Sequence, residues 1–445
     1  MTNGEGQGEG SLLTLALLAL VAGALAGLVG AIFRFCLEQS DRLRDVLLAR
    51  AHGYEAVGFL LVLAACAAAT ALAAWLVRRY SPHASGSGIP HVEAVLRGEL
   101  PQAPFRLIPV KFFGGLLAIG SGLALGREGP SVQMGASLAH LVGKVFRRSW
   151  PDCRVLVAAG PGAGLGTAFN APIAGAVFVL EELVQRFEHR ISIAALVASA
   201  SALGVARVLL GDAPDFHVNL LGYADAGTRP LYFAFGAFAG LLAVVYNRVL
   251  LATLATARRL TAAPVELRAG VVGGAVGILG WFAPDVIGGG DAITQNVLAG
   301  SVSLAAIPTV FLIRFALGAV SYAAGTPGGL FAPMLVLGAQ FGFLSGGVCR
   351  TLLPYLDVQP EGFAIVGMAA FFAGVVRAPI TGIVLATEMT GSVSMLLPML
   401  CACSVAMLVP TLLRDPPIYE SLREHALPVD RAVAKSGDAQ KDRLF

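Results

Sequence analysis

The chain has 445 residues, of which 56% are hydrophobic and 13% are charged, and its formal net charge is +3. Soluble domains carry roughly 25% charged residues, so this composition excludes an ordinary soluble protein and predicts a polytopic membrane protein. The small net charge gives no indication of nucleic-acid binding. The basic residues cluster instead at the edges of apolar runs, as in Arg78-Arg79 and Arg258-Arg259.

The composition also argues against metal, cofactor or disulfide chemistry. The six cysteines include no CxxC pair, and the seven histidines show no metal-ligand spacing. We interpret most of the cysteines as small buried hydrophobic residues and expect neither a metal nor a cofactor. Residues 1–10 are polar and glycine-rich, which predicts a disordered N-terminal tail without a cleavable signal peptide. Residues 426–445 are expected to form a C-terminal cytoplasmic tail.

Apolar runs follow one another along the rest of the chain, at 12–33, 56–77, 107–125, 131–146, 155–180, 191–210, 231–256, 269–287, 303–322, 330–348, 362–386 and 394–413. Several are shorter than the roughly 20 residues that a perpendicular helix needs to span a bilayer. The 54 glycines and 24 prolines fit helices that stop, restart and pack closely. No long polar linker interrupts the runs. We therefore predict an all-α protein with one transmembrane domain at 11–425, built from tilted, partial or re-entrant helices.

An internal repeat is visible in two motifs. Asn-Ala-Pro-Ile-Ala-Gly at 170–175 is followed by Glu181, and Arg-Ala-Pro-Ile-Thr-Gly at 377–382 is followed by Glu388. The stretch Gly-Arg-Glu-Gly-Pro at 126–130 has a looser counterpart that ends at Pro333. The offsets are 207 and 203 residues. Paired segments of this kind point to the midplane site of a transporter, although Ala-Pro-x-x-Gly is also common in membrane helices by chance.

Glu128 lies between glycines in a part of the chain that is otherwise apolar. A carboxylate at membrane depth costs roughly 2.5 to 3.5 kcal/mol, so a chain that keeps one there usually uses it. Gly126 and Gly129 permit a sharp turn, and Pro130 suits the first turn of a helix. The stretch therefore predicts an inward-facing helix N-terminus, which is a ready anion site, with Glu128 just ahead of it.

Three further stretches supply neutral hydrogen-bond donors. Ser87 stands in Gly-Ser-Gly-Ile-Pro at 86–90, and Tyr419 follows the last apolar run. Gly-Gly-Leu-Phe-Ala-Pro at 328–333 offers backbone N–H groups ahead of a helix that begins near proline. Hydroxyl groups and helix ends donate hydrogen bonds without a full charge, which suits a monovalent anion that must bind and then leave.

The GSGIP, GREGP and GGLFAP motifs, in this order and with Tyr419 after the last run, resemble the CLC family of chloride channels and chloride/proton antiporters. The resemblance covers about residues 11–425. It implies two inverted-topology halves of tilted and broken helices, at about 11–210 and 230–425. It also implies a homodimer in which each subunit has its own pore.

The resemblance assigns roles to the motif residues. It implies that the central anion is held by the hydroxyl groups of Ser87 and Tyr419 and by backbone amides of the GGLFAP motif, namely those of Leu330, Phe331 and Ala332. The amides around Arg127 and Gly129 would face an outer site. Glu128 matches the external gating glutamate, which blocks the path when ionised and carries a proton when neutral. Alternatively, Arg127 forms a static salt bridge with Glu128.

Glu182 decides between an antiporter and a channel. It matches the internal proton-transfer glutamate of the exchangers, although Glu181 and Glu182 could also be adjacent acids that cap a helix end at the cytoplasmic surface. Glu93 and Lys111 match a buried ion pair of the family. A structural role is expected for this pair, because two charges that neutralise each other need not take part in transport.

We therefore predict a secondary active transporter that exchanges chloride for protons. Bromide and nitrate are expected as further anions, fluoride is expected to be poor, and no nucleic acid is expected to bind. The location predicted is a bacterial inner membrane, crossed several times, with both termini cytoplasmic. One alternative is a passive chloride channel of the same fold, gated by voltage or pH. An intramembrane enzyme with Glu128 as general base is a second alternative, but no nucleophile or metal cluster accompanies it.

Overall fold

A computed structural model describes residues 11–218, 222–223, 226–259 and 263–427. Within these ranges the backbone forms sixteen α-helices and no β-sheet, which confirms the all-α prediction. The predicted tail at 1–10, and 428–445 of the C-terminal tail, lie outside the described residues. The helices are α1 (Leu12–His52), α2 (Glu55–Tyr80), α3 (Ile89–Leu96), α4 (Leu107–Gly120), α5 (Glu128–Val145), α6 (Trp150–Phe169), α7 (Pro172–Phe178), α8 (His189–Leu210), α9 (Arg229–Arg259), α10 (Val265–Phe282), α11 (Asp291–Leu298), α12 (Ile307–Ala323), α13 (Phe331–Leu352), α14 (Pro360–Val376), α15 (Pro379–Thr390) and α16 (Leu396–Leu412).

Six of the described helices are long and apolar enough to cross a membrane, judged by length and composition: α1, α2, α8, α9, α10 and α13. Large apolar side chains such as Leu61, Phe238 and Val271 are exposed on the outer helices, as a lipid-facing surface requires. In α6 and α14 almost every residue is buried, so these two helices form the centre of the protein. The protein is a multi-pass membrane protein.

Two of the predicted apolar runs, 155–180 and 362–386, are each broken into two helices. The helices α6 and α14 end at Asn170 and Arg377, which adopt left-handed backbone conformations with φ of 51° and 74°. Each is followed by Ala-Pro, and the proline is the first residue of α7 or α15. Proline lacks the amide that would continue the preceding helix but fits the first turn of a new one.

Two short helices, α3 and α11, do not correspond to any predicted run. Each has eight residues and begins after a glycine with positive φ, which is 84° at Gly88 and 99° at Gly290. Eight residues are too few for an apolar run to stand out from its surroundings. The first of these helices matters for function, because it begins directly after the Ser87 loop.

Two helix pairs, α5 with α6 and α13 with α14, pack backbone to backbone through glycines. A Cβ on Gly135 would lie 2.3 Å from the carbonyl oxygen of Gly160, and a Cβ on Gly338 would lie 2.4 Å from that of Gly367. Gly135 and Gly338 are 203 residues apart, and Gly160 and Gly367 are 207 apart. These are the offsets of the two repeated motifs, which supports the internal repeat.

The starts of α7 and α15 are capped reciprocally by the two repeated glutamates. The carboxylate of Glu388 accepts hydrogen bonds from the N–H groups of Ile173 (3.2 Å) and Ala174 (2.7 Å). Glu181 accepts the two corresponding bonds at the start of α15, at 3.0 and 2.7 Å, and a third from the hydroxyl of Thr381 at 2.7 Å. A carboxylate at a helix N-terminus satisfies free amides and favours the helix dipole.

Candidate functional site

The three motif loops meet at the centre of the protein through main-chain hydrogen bonds. The N–H of Gly86 donates to the carbonyl of Thr326 (3.0 Å), and the N–H of Gly328 donates back to the carbonyl of Gly86 (3.1 Å). Gly126 and Gly329 exchange two bonds, of 2.8 and 2.7 Å. The GSGIP and GREGP loops are therefore both joined to the GGLFAP loop, and the starts of α3, α5 and α13 are brought together.

The two hydroxyl groups predicted to hold an anion are both buried. Ser87 is 1% exposed and Tyr419 is 0% exposed, and the hydroxyl oxygen of each makes no hydrogen bond to a described residue. A buried hydroxyl usually has a partner, and these two remain available to a polar ligand. A Cβ on Gly129 would lie 2.5 Å from Oγ of Ser87, so this hydroxyl packs against the first turn of α5.

The start of α13 supplies the backbone donors. Leu330 precedes the helix and Phe331 is its first residue, and both are 0% exposed. The ring of Phe331 packs among three other phenylalanines, including Phe372 at a centroid distance of 4.5 Å. The helix start is thus held rigidly in an apolar surrounding, where its free amides favour an anion.

Glu128 places its carboxylate on this helix start. It is 1% exposed, and Oε2 accepts a hydrogen bond from the N–H of Ala332 at 3.4 Å. A Cβ on Gly126 would lie 1.9 Å from the same oxygen, so the side chain folds back over its own turn. The carboxylate therefore occupies a position where α13 would bind an anion. Glu128 is itself the first residue of α5, close to the predicted helix start.

Arg127 points away from this carboxylate. Its Nε donates to the carbonyl of Ala168 (3.1 Å) and its Nη1 to Asp291 (3.0 Å), while Nη2 lies 3.7 Å from Asp215. Asp215 also pairs with Arg34 at 2.8 Å. The alternative of a static pair between Arg127 and Glu128 is wrong, because the guanidinium is held by other partners.

Glu128 and Arg127 open onto a cavity of about 320 Å³, lined also by Glu38, Arg44, Gly289 and Asp291. We call it the Glu128 cavity. A second cavity, of about 250 Å³, shares no lining residue with it and is lined by Gly86, Gly88, His83, Arg258, Arg268 and Tyr322. We call this one the Tyr322 cavity. The motif loops therefore have one cavity that reaches Glu128 and another that reaches the glycines beside Ser87.

The neighbouring acids Glu181 and Glu182 differ in their environments. Both lie in the π-helical turn Val179–Leu183 that extends α7. Glu181 is occupied by its three bonds to α15, whereas Glu182 is 5% exposed and makes no hydrogen bond or ion pair to a described residue. Glu93 lies close enough for its charge to act on Glu182. Of the two acids, only Glu181 caps a helix.

The predicted ion pair between Glu93 and Lys111 is wrong. Glu93 pairs with Arg97 at 2.8 Å and lies 3.5 Å from Arg423. The fully buried Nζ of Lys111 donates instead to the carbonyls of Ala84 (3.1 Å) and Gly86 (2.7 Å). Lys111 thus holds the backbone of the Ser87 loop, and Glu93 and Lys111 each bind partners other than one another.

The sequence prediction missed three further residues at the site. The side chain of Arg314 donates to the carbonyls of the glycine-rich loop that lines the Glu128 cavity, including that of Gly288 at 2.6 Å. Asp215 pairs with Arg34 and lies near Arg127 at this site. Tyr322 belongs to none of the motifs, yet its hydroxyl oxygen accepts a hydrogen bond from the N–H of Ser87 at 3.4 Å. Among the described residues, no cluster of His, Cys, Asp or Glu could hold a metal ion.

Comparison with known proteins agrees with this geometry. The sequence model of the family described as "Voltage gated chloride channel" matches residues 68–411. The chain belongs to this family. The transmembrane motif loops and the start of α13 all lie within the matched part, so the family assignment covers most of the site.

Two bacterial members of the family illustrate the similarity. The "H(+)/Cl(-) exchange transporter ClcA" of Vibrio parahaemolyticus is 36% identical over 423 residues, covering 93% of this chain and 90% of its own. The protein of the same name from Klebsiella pneumoniae is 36% identical over 440 residues, covering 97% and 93%. Among solved structures, a "slow cyanobacterial Cl-/H+ antiporter" superposes with a TM-score of 0.88 at 30% identity, covering 93% of this chain and 98% of that one.

Proposed function

We propose that this protein is a secondary active transporter that exchanges chloride for protons, with Glu128 as its external gate and proton carrier. The observation that carries the proposal is the position of the Glu128 carboxylate on the N–H of Ala332, at the start of α13. The names of its relatives, which are exchange transporters, support the same activity. We propose ion transport without enzymatic chemistry and without a cofactor.

The coupling follows from competition for one helix start. When ionised, the Glu128 carboxylate is an anion at the positive end of α13, so it takes the place that chloride would take. When protonated, it loses this attraction, releases the site and carries its proton with it. Chloride arriving beside Ser87 and Tyr419 competes with the carboxylate for the same amides. Thermodynamic linkage then requires that protonation changes the chloride affinity by the same factor as chloride binding changes the proton affinity.

Glu182 is the proposed internal proton acceptor. Its carboxyl group is buried and has no partner among the described residues, so it can gain or lose a proton without breaking a structural contact. Glu181 is a poorer candidate, because its carboxylate holds the start of α15 through three hydrogen bonds. Protons would therefore pass between Glu182 and Glu128 by a route separate from that of the anion.

Flux of chloride and protons from purified protein in liposomes tests the proposal. A chloride gradient should drive protons uphill in the unmodified protein. Glu128→Gln, which mimics the protonated acid, should keep chloride flux and lose proton flux. Glu182→Gln should also lose proton flux, while Glu181→Gln, the matched control one residue away, should keep it. Chloride flux without any proton flux in the unmodified protein would indicate a passive channel instead.

The resemblance in the motif loops also supports several finer proposals. We propose a homodimer in a bacterial inner membrane, with both termini cytoplasmic and with bromide and nitrate as further transported anions. Mass measurement in mild detergent that finds only monomers would contradict the dimer.

A further inference from the structure

Tyr322 contacts the Ser87 loop and also lines the Tyr322 cavity. It lies in the last turn of α12 and is 7% exposed. Its hydroxyl oxygen accepts the N–H of Ser87 at 3.4 Å, and a Cβ on Gly86 would lie 3.0 Å from the same oxygen. Neither Ser87 nor Tyr419 lines the cavity, whereas Tyr322 does. The phenol group therefore lies at the edge of the cavity, next to the Ser87 loop.

The hydrogen bonds of Tyr322 leave its own hydrogen free for an anion. A phenol has one O–H donor and an oxygen that can accept. The oxygen accepts from Ser87, and the O–H donates to no described residue. The accepted bond holds the oxygen beside the Ser87 loop, and the hydrogen can still rotate about the C–O bond. The cavity side also carries the positive charges of Arg258 and Arg268, which favour an anion at this end.

We infer that Tyr322 is a third hydroxyl donor of the anion path, which binds chloride between the Tyr322 cavity and the site of Ser87 and Tyr419 and contributes to anion selectivity. This inference rests on the proposed function, since it assumes that chloride uses this path. Three neutral donors in sequence allow chloride to exchange one hydrogen bond for the next without meeting a full charge.

Tyr322→Phe tests the inference, because it removes the hydroxyl and keeps the ring. Chloride binding, measured by calorimetry, should become about ten- to a hundredfold weaker, which is the size expected for one hydrogen bond to a charged group. Thiocyanate accepts hydrogen bonds more weakly than chloride, so the preference for chloride over thiocyanate in liposome flux should fall. Tyr232→Phe is the matched control, since Tyr232 is a buried tyrosine that lines neither cavity. It should change neither quantity.

A purely structural role for Tyr322 predicts a different result. If the hydroxyl only stabilises the backbone of Ser87, Tyr322→Phe should weaken the binding of all anions by the same factor. The ratio of chloride flux to thiocyanate flux should then stay unchanged. That outcome would overturn the inference. Tyr322→His, measured at pH 8 where imidazole is neutral but still has an N–H donor, should retain the ratio that Tyr322→Phe loses.

The two proposals can fail separately. Calorimetric binding of chloride at one fixed pH requires no proton transport, so it tests Tyr322 even if the protein proves to be a passive channel. Coupled exchange in the unmodified protein together with unchanged binding and selectivity in Tyr322→Phe would leave the proposed function intact and reject the role of Tyr322.

Discussion

The reciprocal caps of α7 and α15 are unequal, and we predict that Glu181→Ala destabilises the protein more than Glu388→Ala. Glu181 accepts three hydrogen bonds and Glu388 accepts two. Hydrogen bonds to charged groups contribute about 1.5 to 3 kcal/mol each, but both carboxylates are only partly buried, so about 1 kcal/mol each is the appropriate scale. The expected losses are about 3 kcal/mol for Glu181→Ala and about 2 kcal/mol for Glu388→Ala.

Thermal unfolding in one detergent, at one scan rate, gives the order of stability of the variants. Thr381→Val is the internal control, because it removes only the third bond to Glu181 and keeps the shape of the side chain. It should cost about 1 kcal/mol, the difference between the two alanine variants. If Glu388→Ala is as destabilising as Glu181→Ala, or if Thr381→Val has no effect, the bonds do not stabilise the protein as we describe.

Two further predictions concern backbone positions near the site. Gly135→Ala should destabilise the protein by about 1 to 3 kcal/mol, because the added Cβ would meet a carbonyl oxygen of α6. Gly204→Ala is the control, because a Cβ at Gly204 would meet no atom within 4 Å, and it should be tolerated in the same unfolding assay. Lys111→Met should weaken chloride binding, measured by calorimetry, about tenfold, because Ala84 and Gly86 would lose their shared donor and the Ser87 loop would loosen. Unchanged binding would show that the loop holds its shape without this lysine.

The motifs were predictable because each is a local signature. Glycines around Glu128 and a proline two residues later specify a sharp turn into a helix, and the structure has that turn. The repeated Ala-Pro segments predict an internal repeat. What the pattern could not specify was that α6 and α14 end just before those segments, since the apolar run continues across the break. Hydropathy reports burial, whereas the end of a helix depends on backbone conformation at Asn170 and Arg377.

The partners of buried charges could not be predicted, because they depend on three-dimensional geometry. Glu93 and Lys111 were expected to meet, but Glu93 faces Arg97 one turn along its own helix and Arg423 near the end of the chain. Tyr322 carried no sequence signal, since a tyrosine near the end of an apolar helix is ordinary. Its relation to Ser87 arises only when the end of α12 is folded against the GSGIP loop.

The main-chain bonds between the motif loops have a consequence for biosynthesis. Gly86 and Gly126 bond to Thr326 and Gly329, which the ribosome adds long after the first two loops have entered the bilayer. Until then, the first loops carry backbone groups that lipid cannot satisfy. The nascent first half must therefore keep these loops hydrated or covered by the insertion machinery. Truncated chains that end before Thr326 should therefore be recognised by quality-control proteases.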